Sequence, residues 1–138
     1  MTRSFLYQFI RQHRYGVMAS VSDGNTPEAA VVGIAADPSL RVVFDTVAAS
    51  RKYSNLIRNP SIAFVIGWED ERTLQYEGIA TIPTGGKLEE IRAIYFEVFP
   101  DGRERLEWPG ITHFVVEPRW ARFSDYNSQP PIIEEMKF

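Results

Sequence analysis

Apolar residues in this chain occur mainly in short runs, several of which alternate with polar residues, and turn residues separate the runs. Such spacing is typical of β-strands. The predicted strands comprise residues 15–22, 28–36, 40–45, 61–68, 72–83 and 112–123. Asp23-Gly24-Asn25 forms a strong hairpin turn between the first two, because these residue types tolerate positive φ. Six short strands with few helices predict an antiparallel barrel.

Three other segments carry apolar residues at three- and four-residue spacing, which predicts helices that flank the strands. The first runs from Phe5 to about His13, the second follows Ser50, and the third comprises residues 87–98. Asn59-Pro60 ends the second helix, because the residue before a proline disfavours helical backbone angles.

The length and composition are those of one globular domain. Of the 138 residues, 44% are hydrophobic and 24% are charged, and no repeat or long linker divides residues 1–138. The net charge of −3 argues against a nucleic-acid-binding surface, which is usually basic. The segment after Phe123 contains Pro130-Pro131, and we expect it to be an irregular tail.

Several kinds of site are excluded by residues that the chain lacks. Without cysteine there are no disulfides, thiolate metal sites or thiol nucleophiles. His13 and His113 stand far apart and give no metal-binding pattern. No run of about 18 apolar residues predicts a membrane span, and the N-terminal segment lacks the apolar core of a signal peptide. We therefore expect a cytoplasmic protein that does not contact membranes.

The segment Ser50-Arg51-Lys52 begins the second helix and places two cations where the helix dipole disfavours them. Ser50 is a favourable N-cap, since its hydroxyl can accept a hydrogen bond from a first-turn amide. Arg51 and Lys52 stand at the helix start, although the helix dipole favours cations at the other end. Free amides, a hydroxyl and two cations together can bind a phosphate. The alternative is that both cations are solvated on an exposed first turn.

The sequence around this motif resembles one protein family. Residues 44–60 and the apolar strand 62–68 are similar to the flavin-phosphate segment of the pyridoxamine 5′-phosphate oxidase-like proteins, which are FMN-binding split barrels. Residues 71–80 and 95–102 are similar to later elements of that family, and the likeness covers roughly residues 5–126. The resemblance implies a mainly β fold with flanking helices, namely a six-stranded antiparallel split β-barrel of the FMN-binding type.

The resemblance also implies two groups of cofactor-binding residues. The residues expected at the FMN phosphate are Thr46, Ser50, Arg51 and Lys52. The residues expected along the isoalloxazine ring are Val32, Gly33 and Ala35. Small side chains on this strand would allow a close approach of the ring, and the structural alternative is tight packing inside the barrel.

Later strands supply a third group of expected cofactor contacts. Thr73 stands where the oxidases place a ring-contacting glutamine, and Gln75 would share its strand face. Trp120 is similar to a late-strand aromatic residue that helps to cover the flavin in this family. No catalytic residue is assigned, and no metal site is expected.

The function implied by the resemblance is that of a flavoprotein. The extra Arg and Lys of the oxidases align near Ala30 and Ala35, which argues against oxidation of pyridoxamine phosphate itself. We expect an FMN-dependent oxidoreductase that acts on an unidentified small molecule. Two alternatives stay open: a reductase that binds a deazaflavin (F420), and a non-catalytic flavin-binding or sensing protein. The family further implies a homodimer with cofactor sites at the subunit interface.

Overall fold

Eight strands and four helical segments make up the structure, a computed structural model that describes residues 1–138. The strands are β1 (Tyr15–Val21), β2 (Pro27–Gly33), β3 (Ala35–Ala36), β4 (Val42–Val47), β5 (Ser61–Ile66), β6 (Arg72–Thr81), β7 (Ile111–Asp125) and β8 (Ile132–Lys137). The helices are α1 (Arg3–Arg11), α2 (Arg51–Arg58), α3 (Gly85–Val98) and a 3₁₀ helix (Pro100–Glu107). None of these helices has both the length and the apolar character needed to cross a membrane.

All of the strands belong to one antiparallel sheet. Its order is β2-β1-β5-β6-β7-β4-β3, and β8 joins it by pairing with β7. The sheet curls until β2, at one end of this order, contacts β4 near the other end. β5 and β6 lie farthest from this contact along the sheet. The predicted split barrel with flanking helices is therefore confirmed.

A continuous apolar cluster fills the interior of the barrel. Phe44 of β4 stacks on Phe114 of β7 with 5.4 Å between the ring centroids. α1 contributes the buried residues Leu6 and Ile10, and α2 contributes Leu56. Because each such side chain stabilises the fold by about 1.5–3 kcal/mol on burial, the helices are held to the barrel by their apolar faces.

β4 and the first half of β7 are buried on both faces. Val43 and Val115 point away from the barrel interior and pack against Ile91 and Tyr95 of α3. This packing explains why the chain has a continuous apolar run at residues 42–44 rather than alternation, since neither face of the strand meets water.

The predicted number of six strands is wrong, because the structure has eight. The predicted strand 28–36 divides at Ile34, whose amide donates to the carbonyl of Arg14 (2.9 Å), and Ala35–Ala36 then pairs with β4 instead of β1. The tail that we expected to be irregular contains β8, which begins after Pro131 and pairs with β7. Both strands depend on partners that are distant in sequence, and local patterns do not reveal such partners.

His113 lies beneath α3 with no hydrogen-bond partner for either ring nitrogen. It is only 1% exposed, and its ring packs edge-on against Tyr95 and Phe96 at centroid distances of 5.4 and 5.6 Å. Burial lowers the pKa of His113, and the nearby carboxylate of Asp45 only partly opposes this effect. The neutral imidazole is therefore the favoured form in the folded protein.

Replacing His113 with Leu should flatten the pH dependence of stability below neutrality. The unfolded chain binds a proton at the ordinary histidine pKa of about 6.5, whereas the folded chain binds it only at lower pH. The stability associated with the neutral ring is therefore fully present above pH ~6.5 and is lost as the pH falls below that value. Urea unfolding from about pH 5 to 8 tests this, with His13 retained in both proteins. An equal slope in the two proteins would contradict the assignment.

Gly78 permits the irregularity at which β6 and β7 change register. A Cβ atom at this position would collide with the carbonyl oxygen of Glu117, a backbone atom that cannot rotate away. We expect Gly78→Ala to lower the free energy of unfolding by about 1–3 kcal/mol or more. Gly24→Ala is the matched control, because its Cβ would meet no atom within 4 Å. Equal urea midpoints for the two variants would show that the bulge tolerates a side chain.

Candidate functional site

A cavity of about 420 Å³ lies where β2 meets β4. Residues 31–33 of β2 form one wall, and residues 45–47 of β4 form the facing wall. Lys52 of α2 stands at one end of the cavity, and side chains of α3 and the 3₁₀ helix line the other end. The volume falls in the range of cofactor and small-molecule sites.

Two hydroxyl groups meet at the α2 end of the cavity. Thr46 Oγ1 and Ser50 Oγ are 2.9 Å apart, because a short turn brings the chain directly from β4 into α2. Ser50 caps the helix, and its Oγ accepts a hydrogen bond from the Tyr53 amide at 3.2 Å. The half-buried Lys52 lines the same end, and its ammonium forms no ion pair with any carboxylate. This end of the cavity therefore presents hydroxyls and an unpaired cation.

Arg51, the second predicted cation, is already paired. Its guanidinium Nη1 lies 3.1 Å from Glu28 Oε2 of β2, and its side chain is three-quarters exposed. Asn55 Nδ2 also donates to Glu28, at 2.8 Å, and to Ser20 Oγ at 3.0 Å. Glu28 and Asn55 were not predicted as site residues, because they meet each other only across 27 residues of the chain.

The opposite end of the cavity holds a network of charged and phenolic groups. Arg105 of the 3₁₀ helix donates from Nε to Asp45 Oδ2 at 3.0 Å and from Nη1 to Asp101 Oδ2 at 3.3 Å. Its Nη2 donates to the Tyr95 hydroxyl at 3.2 Å, and that hydroxyl donates to Asp45 Oδ1 at 3.1 Å. The network joins β4 to α3 and the 3₁₀ helix.

The network also fixes the protonation of its members. Burial raises the pKa of Tyr95, and the charge of Asp45 raises it further, so the phenol keeps its proton. Burial alone would lower the pKa of Arg105, but its hydrogen bond to Asp45 reverses the sign and the pKa rises. The sequence signal that could have indicated this network is the spacing of Asp101 and Arg105, which are four residues apart after a helix-starting Pro100.

Aromatic rings border the mouth of the cavity. Tyr15 and Trp108 are both 53% exposed, and Phe99 meets Tyr15 edge-on at 6.2 Å. The Phe99 ring also lies directly over Gly33, where a Cβ atom would come within 2.8 Å of it. Glycine is therefore required at this position for Phe99 to reach the strand. Exposed rings beside a cavity can contact a planar ligand.

The structure brings together only part of the predicted site. Four of the predicted residues line the cavity: Val32, Gly33, Thr46 and Lys52. Ser50 does not line it but forms a hydrogen bond with Thr46, and Arg51 lines the neighbouring smaller cavity. Ala35 packs beneath α3, in the cluster that contains Val43.

Three predicted residues lie on the outside of the barrel, away from the cavity. Thr73 and Gln75 are on β6, where Gln75 is exposed and pairs with Arg122 of β7. Trp120 is on the second half of β7, and its Nε1 donates to Glu135 Oε2 at 3.3 Å. No side chain of this group lines the cavity of the same chain.

Comparisons with known proteins agree with this architecture. A solved structure of a heme binding protein from Mycobacterium smegmatis superposes with a TM-score of 0.84 at 15% identity, covering 99% of this chain and 58% of that chain. The chain thus spans little more than half the length of that protein. A pyridoxamine 5′-phosphate oxidase-related, FMN binding protein from Nostoc punctiforme gives a TM-score of 0.72 at 12% identity, covering 98% and 93% of the two chains.

A heme storage protein from Vibrio cholerae has the same fold, with a TM-score of 0.73 at 15% identity over 84% of this chain and 89% of that chain. No curated protein matches the sequence. The family model described as pyridoxamine 5′-phosphate oxidase matches residues 5–125, which include the whole barrel except β8. The chain therefore belongs to the pyridoxamine 5′-phosphate oxidase family.

Proposed function

We propose that the cavity between β2 and β4 binds FMN and that the protein is a flavin-dependent oxidoreductase of a small molecule. The observation that carries the proposal is the Thr46–Ser50 hydroxyl pair, which lies beside the unpaired ammonium of Lys52 at one end of the cavity. Hydroxyl and ammonium groups at a helix start suit a phosphate. The phosphate would be held there, and Tyr15, Phe99 and Trp108 would contact the ring.

The chain's own groups define what the site does around the cofactor. FMN, when bound, supplies hydride and electron transfer. Lys52 neutralises the phosphate, and the β2 backbone at Val32 and Gly33 offers polar groups to the ring edge. The Tyr95 hydroxyl keeps its proton and holds it toward Asp45. The substrate would enter beside the exposed Trp108.

The FMN-binding neighbour supports this cofactor, whereas two neighbours are described as heme proteins. Heme iron requires an axial ligand such as histidine, cysteine, methionine or tyrosinate. No histidine, cysteine or methionine lines the cavity. The hydroxyl of Tyr95 is held by Asp45 and Arg105, and its raised pKa opposes tyrosinate formation. The lining therefore offers hydroxyls and a cation for a flavin phosphate, and tyrosine is the one heme-ligand residue type that it contains.

We also propose that the protein is a homodimer whose sites are each completed by the partner chain. The cavity lies at the β2–β4 contact, but Thr73, Gln75 and Trp120 lie outside the barrel on β6 and the far half of β7. One chain cannot place both groups around one ligand. In a two-fold dimer, the outer wall of one barrel can face the cavity of the other, and both sites are then equivalent.

Removing the proposed phosphate-binding cations should weaken the binding of FMN much more than the binding of riboflavin. Each charge-assisted hydrogen bond contributes about 1.5–3 kcal/mol, so Arg51→Ala combined with Lys52→Ala should weaken FMN binding by roughly a hundredfold or more. Riboflavin, which lacks the phosphate, should lose little. Titration of the apoprotein, followed by flavin fluorescence quenching, measures both affinities.

Lys87→Ala is the control for this experiment, because Lys87 is an exposed lysine 3.9 Å from Glu117 and far along the chain from α2. An equal loss of affinity for both ligands would point to misfolding. Unchanged affinity for both would show that the two cations are solvated and do not bind the phosphate. A colourless protein that takes up neither flavin would contradict the proposed function. A blue-shifted absorption band in the purified protein would indicate a deazaflavin instead.

Mixed dimers test whether two chains share a site. Arg51→Ala/Lys52→Ala damages the cavity, and Trp120→Ala damages the outer wall. Co-expression of the two variants with different tags should give heterodimers in which one site has both defects and the other is intact. About half of the FMN sites in purified heterodimers should then bind normally. No recovery, or a monomeric mass by light scattering, would contradict the shared site.

A further inference from the structure

A smaller cavity of about 80 Å³ lies beside the first, and Lys52 lines both. Its polar lining comes from Ser20, Glu28, Arg51 and Asn55. The Glu28 carboxylate is the single acidic group among these residues. It belongs to β2, the same strand that forms a wall of the larger cavity at residues 31–33.

Glu28 is held firmly in this place. Its Oε1 accepts from Asn55 Nδ2 at 2.8 Å, and its Oε2 pairs with Arg51 Nη1 at 3.1 Å. Asn55 is itself buried, with 5% exposure, and is anchored to the buried Ser20 at 3.0 Å. The Glu28 side chain keeps only 18% of its accessible surface. The buried amide and the guanidinium therefore fix the position of this carboxylate in the site.

The Glu28 carboxylate lowers the net positive charge around the proposed phosphate position. Arg51 and Lys52 carry two positive charges and Glu28 carries one negative charge, so the three groups sum to one positive charge. A phosphate monoester carries up to two negative charges above its second pKa of about 6, whereas a phosphate diester carries one. The net positive charge therefore compensates only half of the charge of a dianion, whereas it matches the charge of a diester.

We infer that Glu28 is a specificity-determining residue at the phosphate end of the FMN site, where its charge lowers the preference for a doubly charged phosphate over a singly charged one. The inference rests on the proposed function, because it concerns the phosphate end of the same site. Glu28 acts by keeping Arg51 occupied and by repelling the second charge of a monoester. A phosphate diester forms the Lys52 contact with less repulsion.

Three ligands that share one ring system test this role at about pH 8, where the FMN phosphate is doubly charged. They are FMN, riboflavin 4′,5′-cyclic phosphate with one charge, and uncharged riboflavin. Glu28→Gln keeps an acceptor for Asn55 but removes the charge. We expect the ratio of FMN affinity to cyclic phosphate affinity to rise about tenfold in this variant, while riboflavin binding stays unchanged.

Glu89→Gln is the matched control, since Glu89 is an exposed carboxylate on α3 that forms no ion pair. Glu28→Ala is a second variant and should shift the ratio in the same direction. The urea midpoint of each variant confirms that it is folded. If the proteins bind flavins but the ratio is the same in wild type and both Glu28 variants, the role of Glu28 is overturned. If no flavin binds to the wild-type chain, the proposed function itself fails.

Discussion

The contact between β2 and β4 is the constraint on which the candidate site depends. An open sheet would leave β2, and the part of β4 beyond its short pairing with β3, as unpaired edges, and closure brings these two strands face to face around the cavity. The chain leaves β4 at this contact and begins α2 after a short turn, so the capping hydroxyl of Ser50 comes to lie beside Thr46. The cap that starts the helix thus also creates the polar end of the cavity. A change that opened the β2–β4 contact would remove both walls at once.

The outer layer of α3 and the 3₁₀ helix depends on the same strand. Val43 anchors α3 through apolar packing, and two residues later Asp45 binds Arg105 and Tyr95. The apolar and polar contacts lie on one face of β4 because alternate residues share a face. The charged network is therefore held to the barrel by an apolar cluster and not by its ion pairs alone. This arrangement agrees with the modest net stabilisation expected of partly exposed ion pairs.

Local patterns predicted the features that a short window of sequence determines. The turn at Asp23-Gly24-Asn25, the Ser50 cap and most of the strands follow from residue types and periodicity within about ten residues, and they are present in the structure. The 3₁₀ helix was missed although Pro100, Asp101 and Arg105 give a local signal for it. β3 and β8 were missed because each depends on a strand far away in the sequence. Glu28 was missed for the same reason: it meets Arg51 across 23 residues. The family resemblance supplied the barrel closure, which periodicity cannot reveal.

The two ends of the cavity differ in charge, and this difference gives the site a direction. Asp45 and Asp101 outnumber Arg105 at the 3₁₀ end, so that end carries one net negative charge, whereas Lys52 makes the α2 end positive. Charges that line a cavity with apolar walls are screened less than charges on an open surface. A ligand with an anionic group at one end is therefore attracted to the α2 end and repelled from the other. The charges thus set the orientation of the ligand. The aromatic rings at the mouth add contact area in either orientation.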